Sequence, residues 1–171
     1  VVAALAGCAV PVEEPAPEPV PPIVVGTTDR VASLDPAGAY DAGSFAVMAQ
    51  VYPFLMGSPP GESEVEPDIA ATAGFTEDGD YTVTLKAGLA FANGHGLTAS
   101  DVRFSFDRQL AIADSAGPSA LLSNLERVET IGDLTLVFHL RAGHDQTFPR
   151  VLSGPAAAIV DEQVFSADAI T

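Results

Sequence analysis

The sequence is short of cysteine, of positive charge and of histidine, and each shortage removes a class of function. Its only cysteine is Cys8, so no intramolecular disulfide can form and no framework of bridges reports on a redox compartment. Seven basic residues stand against 23 acidic ones, a net charge of −16. That balance repels phosphate backbones and anionic membrane surfaces, and it argues against nucleic-acid binding. The three histidines, His95, His139 and His144, lack the i, i+4 or short-loop spacing of a zinc site. His95 and His144 read as turn or loop residues, and His139 as a strand residue whose neighbours Phe138 and Leu140 share the opposite face. No serine sits in a nucleophile-elbow glycine pattern, and no glycine loop has the P-loop form. Carboxylates are so abundant that no one pair is informative. Asp78 and Asp80 belong to a turn too short for an EF-hand ligand run and without its closing glutamate. No enzymatic reaction, metal or cofactor is therefore expected.

What is present describes one ordinary domain or part of a larger protein. The chain has 171 residues, 47% of them hydrophobic and 18% charged, enough to bury a core. It starts at Val1 rather than at methionine and stops at Thr171 in an alanine-rich segment, and it reads as cut at both ends. Val1 to Val10 is an apolar and small-residue run, well short of the about 20 residues of a membrane span but suited to the end of a signal-peptide hydrophobic region. Leu5-Ala6-Gly7-Cys8 looks like a bacterial lipobox, in which the cysteine thiol carries a lipid. The alternative is a buried free cysteine in a small core strand. Against it stands the following segment, Pro11 to Pro22, with six prolines in twelve residues. Proline fixes φ and lacks an N–H, so this stretch is an extended spacer rather than a fold. A ligand for a proline-recognition module is disfavoured by flanking charges that are all glutamate. The expected organisation is a signal-peptide remnant over 1–8, a tether over 9–22 and a folded part over 23–171.

In the folded part, the β-branched run Ile23 to Thr28 is expected to form a buried strand, followed by a loop over Asp29 to Tyr40. Ser44 is the candidate cap of a helix from about Phe45 to Met56, and Pro53 calls for an end or kink near Tyr52. Strands are expected at Thr72–Thr76 and Tyr81–Leu85, joined by the Glu77-Asp78-Gly79-Asp80 turn. A helix from Ala99 to about Ala113, capped by Thr98 or Ser100, carries an apolar stripe of Val102, Phe106, Leu110 and Ala113, with Asp101, Arg103 and Arg108 outside it. Two alternating strands, Leu125–Ile131 and Leu134–Leu140, meet at Gly132-Asp133. A loop or short helix over Asp145–Ser153, a small-residue strand over Ala156–Val160 and a short helix capped by Asp161 complete an α+β chain with antiparallel strands.

The stretch Leu85 to Arg108 resembles the motif of the extracytoplasmic solute-binding proteins of family 5, the peptide, oligopeptide and nickel binding subunits of ABC importers. It matches at Leu85, Gly88, Phe91, Asn93, Gly94, Thr98, Ala99, Asp101, Val102, Ser105 and Arg108, and departs at Lys86 and Leu97. Leu34-Asp35-Pro36, Val51-Tyr52 with Phe54-Leu55, Glu66 to Ala70, Asp78-Gly79 through Tyr81-Thr82, and Phe138 to Leu140 extend the likeness, with Pro53 replacing the usual acidic residue. The resemblance implies the N-terminal part of a type II periplasmic-binding-protein-like fold with a mixed or antiparallel sheet and packed helices. By that likeness 23–40 and about 151–171 belong to a first lobe and about 41–150 to an extra outer domain. It further implies a monomeric, lipid-anchored extracytoplasmic receptor with Cys8 as the lipidation site, capturing peptides or a related small solute for ABC permease subunits. An envelope lipoprotein using the same fold for sensing or protein interaction is the alternative. Solute contacts carried over from the family fall on Ala39, Tyr40, Ser44 and Phe45. Because the second lobe closes the cleft, residues 23–171 alone are expected to bind little solute.

Overall fold

The computed structural model describes residues 22–171; Cys8, the lipobox and the tether up to Pro21 lie outside them. In chain order the elements are a 3₁₀ turn (Pro36–Gly38), α1 (Ala42–Val51), β1 (Met56–Gly57), β2 (Glu66–Pro67), β3 (Ala70–Phe75), β4 (Tyr81–Leu85) and α2 (Ala99–Ile112). A 3₁₀ turn (Ser119–Leu122), β5 (Leu125–Ile131), β6 (Thr135–Leu140), α3 (Phe148–Val151) and a last 3₁₀ turn (Pro155–Ala157) follow. β1 and β2 pair as a small antiparallel ribbon, and the other four strands form an antiparallel sheet of order β3-β4-β6-β5.

Alternation sets the inner face of that sheet. Tyr81, Val83 and Leu85 of β4 lie buried beside Leu136, Phe138 and Leu140 of β6, with Tyr81 opposite Phe138 and Val83 opposite Leu136. Val128 of β5 stands opposite Phe138 from the other side. The two hairpin turns are placed by glycines at positive φ, Gly79 at 92° and Gly132 at 63°, where a side chain would be strained. α2 lies across this face, and the Phe106 ring meets Phe138 edge-on at 5.0 Å between centroids. Phe148 of α3 closes the cluster, 5.5 Å from Phe138 and 5.8 Å from Tyr81.

α2 begins in a capping box. The Thr98 hydroxyl accepts from the Ser100 N–H, and the Asp101 carboxylate accepts from the Thr98 N–H at 2.9 Å. Thr98→Ala is expected to lower stability by about 1 kcal/mol, read as a shift in urea midpoint with an unchanged slope.

Several sequence expectations need correction. The run Ile23 to Thr28 is not a buried strand: it has no strand partner among the described residues, and Ile23 is 93% exposed. A β-branched run becomes a strand only when a neighbour takes its N–H and C=O groups, and both sheets have their strands elsewhere. α1 starts at Ala42 rather than near Phe45, because Asp41 is its cap and accepts the Ser44 N–H at 2.8 Å. It ends at Val51, and Tyr52, forced out of helical geometry by Pro53, has extended φ and ψ of −99° and 144°. Ala156 to Val160 is buried but makes no ladder: the Ile159 N–H goes to the Pro53 carbonyl and the Val160 N–H to the Ser105 hydroxyl. After Asp161 there is a single turn, closed by the Val164 and Phe165 N–H groups on the Asp161 carbonyl, and no helix. On α2, Leu110 is exposed, while Asp101 and Arg108 are buried.

Candidate functional site

The burial of that polar face explains the most unusual part of the chain, the segment Thr27 to Asp41, which holds its path with only one turn of 3₁₀ helix. Each stretch of it is tied to a neighbouring element by a separate contact. The Arg30 carbonyl packs directly on Gly43 of α1, where a Cβ would collide with it. The Ser44 hydroxyl accepts the Ala32 N–H at 2.9 Å and the Ser33 N–H at 3.3 Å. The Tyr52 hydroxyl donates to the Leu34 carbonyl at 2.9 Å. Gln109 of α2 donates to the Pro36 carbonyl at 3.0 Å, and Gly117 leaves room for the Ala37 carbonyl where any side chain would clash.

The strongest tie is a buried ion pair. Arg108 of α2 forks onto Asp35, with Nη1 to Oδ1 at 2.8 Å and Nη2 to Oδ2 at 2.6 Å, and the two side chains are 2% and 1% exposed. Asp35 also caps the 3₁₀ turn through the Ala37 N–H at 2.9 Å and accepts the Thr171 N–H at 2.7 Å. Nε and a second Nη2 donor reach the Ser166 and Ala169 carbonyls, and the Phe165 ring lies under the charge at 5.4 Å. Burial pushes the Asp35 carboxyl up, but the Arg108 guanidinium and the two backbone N–H donors outweigh it and hold the group below its ordinary value. One pair thus joins the loop, α2 and the segment Ser166–Thr171.

A second polar cluster lies beside the Asn93-Gly94 turn. Asp161, almost fully buried, accepts from Asn93 Nδ2 at 2.8 Å and lies 2.6 Å from His95 Nδ1. Burial raises the Asp161 carboxyl, and the Asn93, Gln163 and His95 donors pull it below the ordinary range. It borders a cavity of about 240 Å³ lined by Val51, Tyr52, Phe91, Val164 and Phe165 among others. His139 stands on the outer face of the sheet with Nδ1 2.7 Å from Asp80 and Nε2 3.0 Å from Glu129, and His144 lies beside Phe75. Asp80 also accepts the Leu140 N–H, so it fastens the hairpin turn to β6. Among the described residues no group of three His, Cys, Asp or Glu side chains could hold a metal ion.

The four residues expected to touch solute fall on this tied loop and the first turn of α1, but they differ in access. Ala39 is 1% exposed and Ser44 fully buried, its hydroxyl already engaged. Tyr40 is 56% exposed, and Phe45 is half-buried with its ring edge-on to Phe54 at 6.1 Å. Val31 and Leu34 add exposed apolar side chains to the same loop. The helical stripe alone leaves out Asp101, Ser105, Arg108 and Gln109. For Arg108 alone there was a signal, its place beside Asp35 among the motif matches as one base and one acid. Gly43→Ala is expected to push the loop off α1 and lower stability by about 1–3 kcal/mol, with faster amide exchange at Ala32 and Ser33.

Residues 64–170 match the model of the bacterial extracellular solute-binding proteins, family 5 Middle. The glutathione-binding protein GsiB of Escherichia coli K12 is 29% identical over 139 residues, covering 81% of this chain and 27% of that protein. The chain therefore spans about a quarter of the length of such relatives. Among solved structures, the peptide-binding pheromone receptor PrgZ superposes with a TM-score of 0.70 at 26% identity, covering 78% of this chain and 29% of that one. DppA of Helicobacter pylori, solved with the peptide STSA, gives 0.65 at 25% identity, covering 77% and 29%.

Proposed function

Because this chain belongs to the family 5 bacterial extracellular solute-binding proteins and its fold is part of a type II periplasmic-binding fold, we propose that it is the capturing subunit of an ABC importer. It takes peptides or a related small solute outside the cytoplasm and hands it to the permease. The observation that carries this reading is the Thr27–Asp41 loop: an irregular segment whose backbone is fixed at several independent points while Val31, Leu34 and Tyr40 stay exposed. Binding surfaces are built this way, on loops whose shape a rigid scaffold has set beforehand. Tyr40 and the free edge of Phe45 supply contact to solute, and Ala39 and Ser44 shape the wall beneath them. Residues 23–40 and about 151–171 belong to the first lobe and about 41–150 to the outer domain.

The same reading makes Cys8 the lipid attachment site and the proline-rich segment a spacer that holds the receptor off the membrane. The relatives named for glutathione and for peptides support a small solute carrying amide and carboxylate groups. Sensing without transport is the second reading, and the likeness to a pheromone receptor favours it. Native mass spectrometry of the full-length protein purified from its host is expected to show a peptide-sized bound mass, and deletion to abolish uptake of that compound. Binding with uptake intact would favour sensing, and a protein free of any bound mass that also binds no peptide or glutathione would refute both.

A further inference from the structure

We propose that Arg108 is a positioning residue for solute binding, acting through Asp35 to hold the Ala32–Ala37 backbone in the shape that accepts the solute; this rests on the receptor reading above. Arg108 touches no open surface, being 2% exposed in its side chain, and each of its three guanidinium nitrogens donates inside the protein. A direct role in recognition is therefore closed to it. What it reaches is the loop. Its fork fixes both Asp35 oxygens, and Asp35 in turn holds the Ala37 N–H, so the guanidinium sets the direction in which the chain leaves Leu34 and enters the 3₁₀ turn. The neighbouring tie, from the Tyr52 hydroxyl to the Leu34 carbonyl, acts one residue before Asp35. Tyr52 is also coupled to the same centre, because its ring packs edge-on against Phe165, which lies under the Arg108 charge.

The consequence is that helix and loop form one body. α2 is anchored in the sheet by Val102 and Phe106, both fully buried. The fork carries that rigidity to Asp35, between the exposed side chains of Val31 and Leu34 on one side and Tyr40 on the other. A loop held in its binding shape before solute arrives loses less conformational freedom on binding, which raises affinity without adding a contact. Lysine keeps the charge at this position but cannot fork, so it separates geometry from electrostatics.

The test compares wild type, Arg108→Lys and Tyr52→Phe in the full-length protein. Glutathione and a library of tri- to nonapeptides serve as titrants, with amide exchange measured in parallel. Arg108→Lys is expected to speed exchange at Ala32, Ser33 and Ala37 while Val83 and Leu136 stay protected, and to weaken binding about tenfold. Tyr52→Phe removes one hydroxyl and leaves no buried charge unpaired; it is expected to weaken binding about threefold at unchanged melting temperature. It leaves both members of the ion pair in place, so it still tests whether the fixed loop backbone sets affinity if Arg108→Lys does not fold. Loosened loop amides with affinity unchanged in the folded variants would overturn the positioning role while leaving the receptor reading intact. A folded wild type that binds none of the titrants would overturn the receptor reading and this inference with it.

Discussion

Replacing Arg108 by methionine is expected to lower the stability of the fold by about 3–5 kcal/mol, the loss typical when one partner of a buried ion pair is removed. Methionine fills much of the same space, so the loss is electrostatic and polar rather than a cavity. Asp35, 1% exposed in its side chain, would keep its N–H donors from Ala37 and Thr171 but lose both guanidinium donors. The Ser166 and Ala169 carbonyls would lose theirs as well. Asp35→Asn combined with Arg108→Met should recover part of the loss, because the uncompensated buried carboxylate is then gone. Urea unfolding followed by circular dichroism checks both. A single-variant loss below about 1 kcal/mol would mean that the pair behaves like an exposed one.

The same pair gives a pH dependence of definite sign. The Asp35 carboxyl titrates below its ordinary value in the folded protein, so the unfolded chain takes up the proton first. The stabilisation is complete above the ordinary aspartate value of about 3.9 and is lost as pH falls through the lower folded value. Wild type should therefore lose stability steeply in that acid window, whereas the Asp35→Asn, Arg108→Met protein should lose less over the same range.

Phe138→Ala is expected to cost about 3–5 kcal/mol by a different route, a cavity at the centre of the sheet. The ring is fully buried, meets Phe106 edge-on and Phe148 at a tilt, and stands between Tyr81 and Val128 in the strand register. Those neighbours come from α2, α3, β4 and β5, elements tied to separate parts of the chain, so they cannot close together over the gap. The urea midpoint should fall with the slope unchanged, and exchange should quicken at Val83 and Leu136. A loss near that of Thr98→Ala would indicate that the core repacks around the missing ring.

The elements that could be read from sequence are those whose causes are local. β4 runs from Tyr81 to Leu85 because alternation and the Asp78-Gly79 turn specify it, and α2 begins at Ala99 because Thr98 and Asp101 form its capping box. What could not be read depends on partners distant in sequence. Asp101, Ser105, Arg108 and Gln109 look like a solvated helix face until the chain at Asp35–Pro36 and Val160–Ala169 folds over them. Ser44 looks like a cap because it precedes an apolar helix, yet Asp41 takes that role and frees the serine hydroxyl for the loop. Ile23 to Thr28 and Ala156 to Val160 have strand composition, but a strand is a pairing and composition names no partner. The motif stretch itself proved to be a joint: its polar residues bind the Thr27–Asp41 loop to the sheet-bearing body.

The place where solute protects the protein distinguishes a solute-facing loop from a purely structural one most directly. Amide exchange of the full-length protein, with and without a peptide or glutathione that it binds, should show the largest slowing within residues 29–45. The strands β5 and β6 should be unchanged. Protection confined to the four-stranded sheet, or none in 29–45 at saturating solute, would contradict the assignment of that loop as the solute wall.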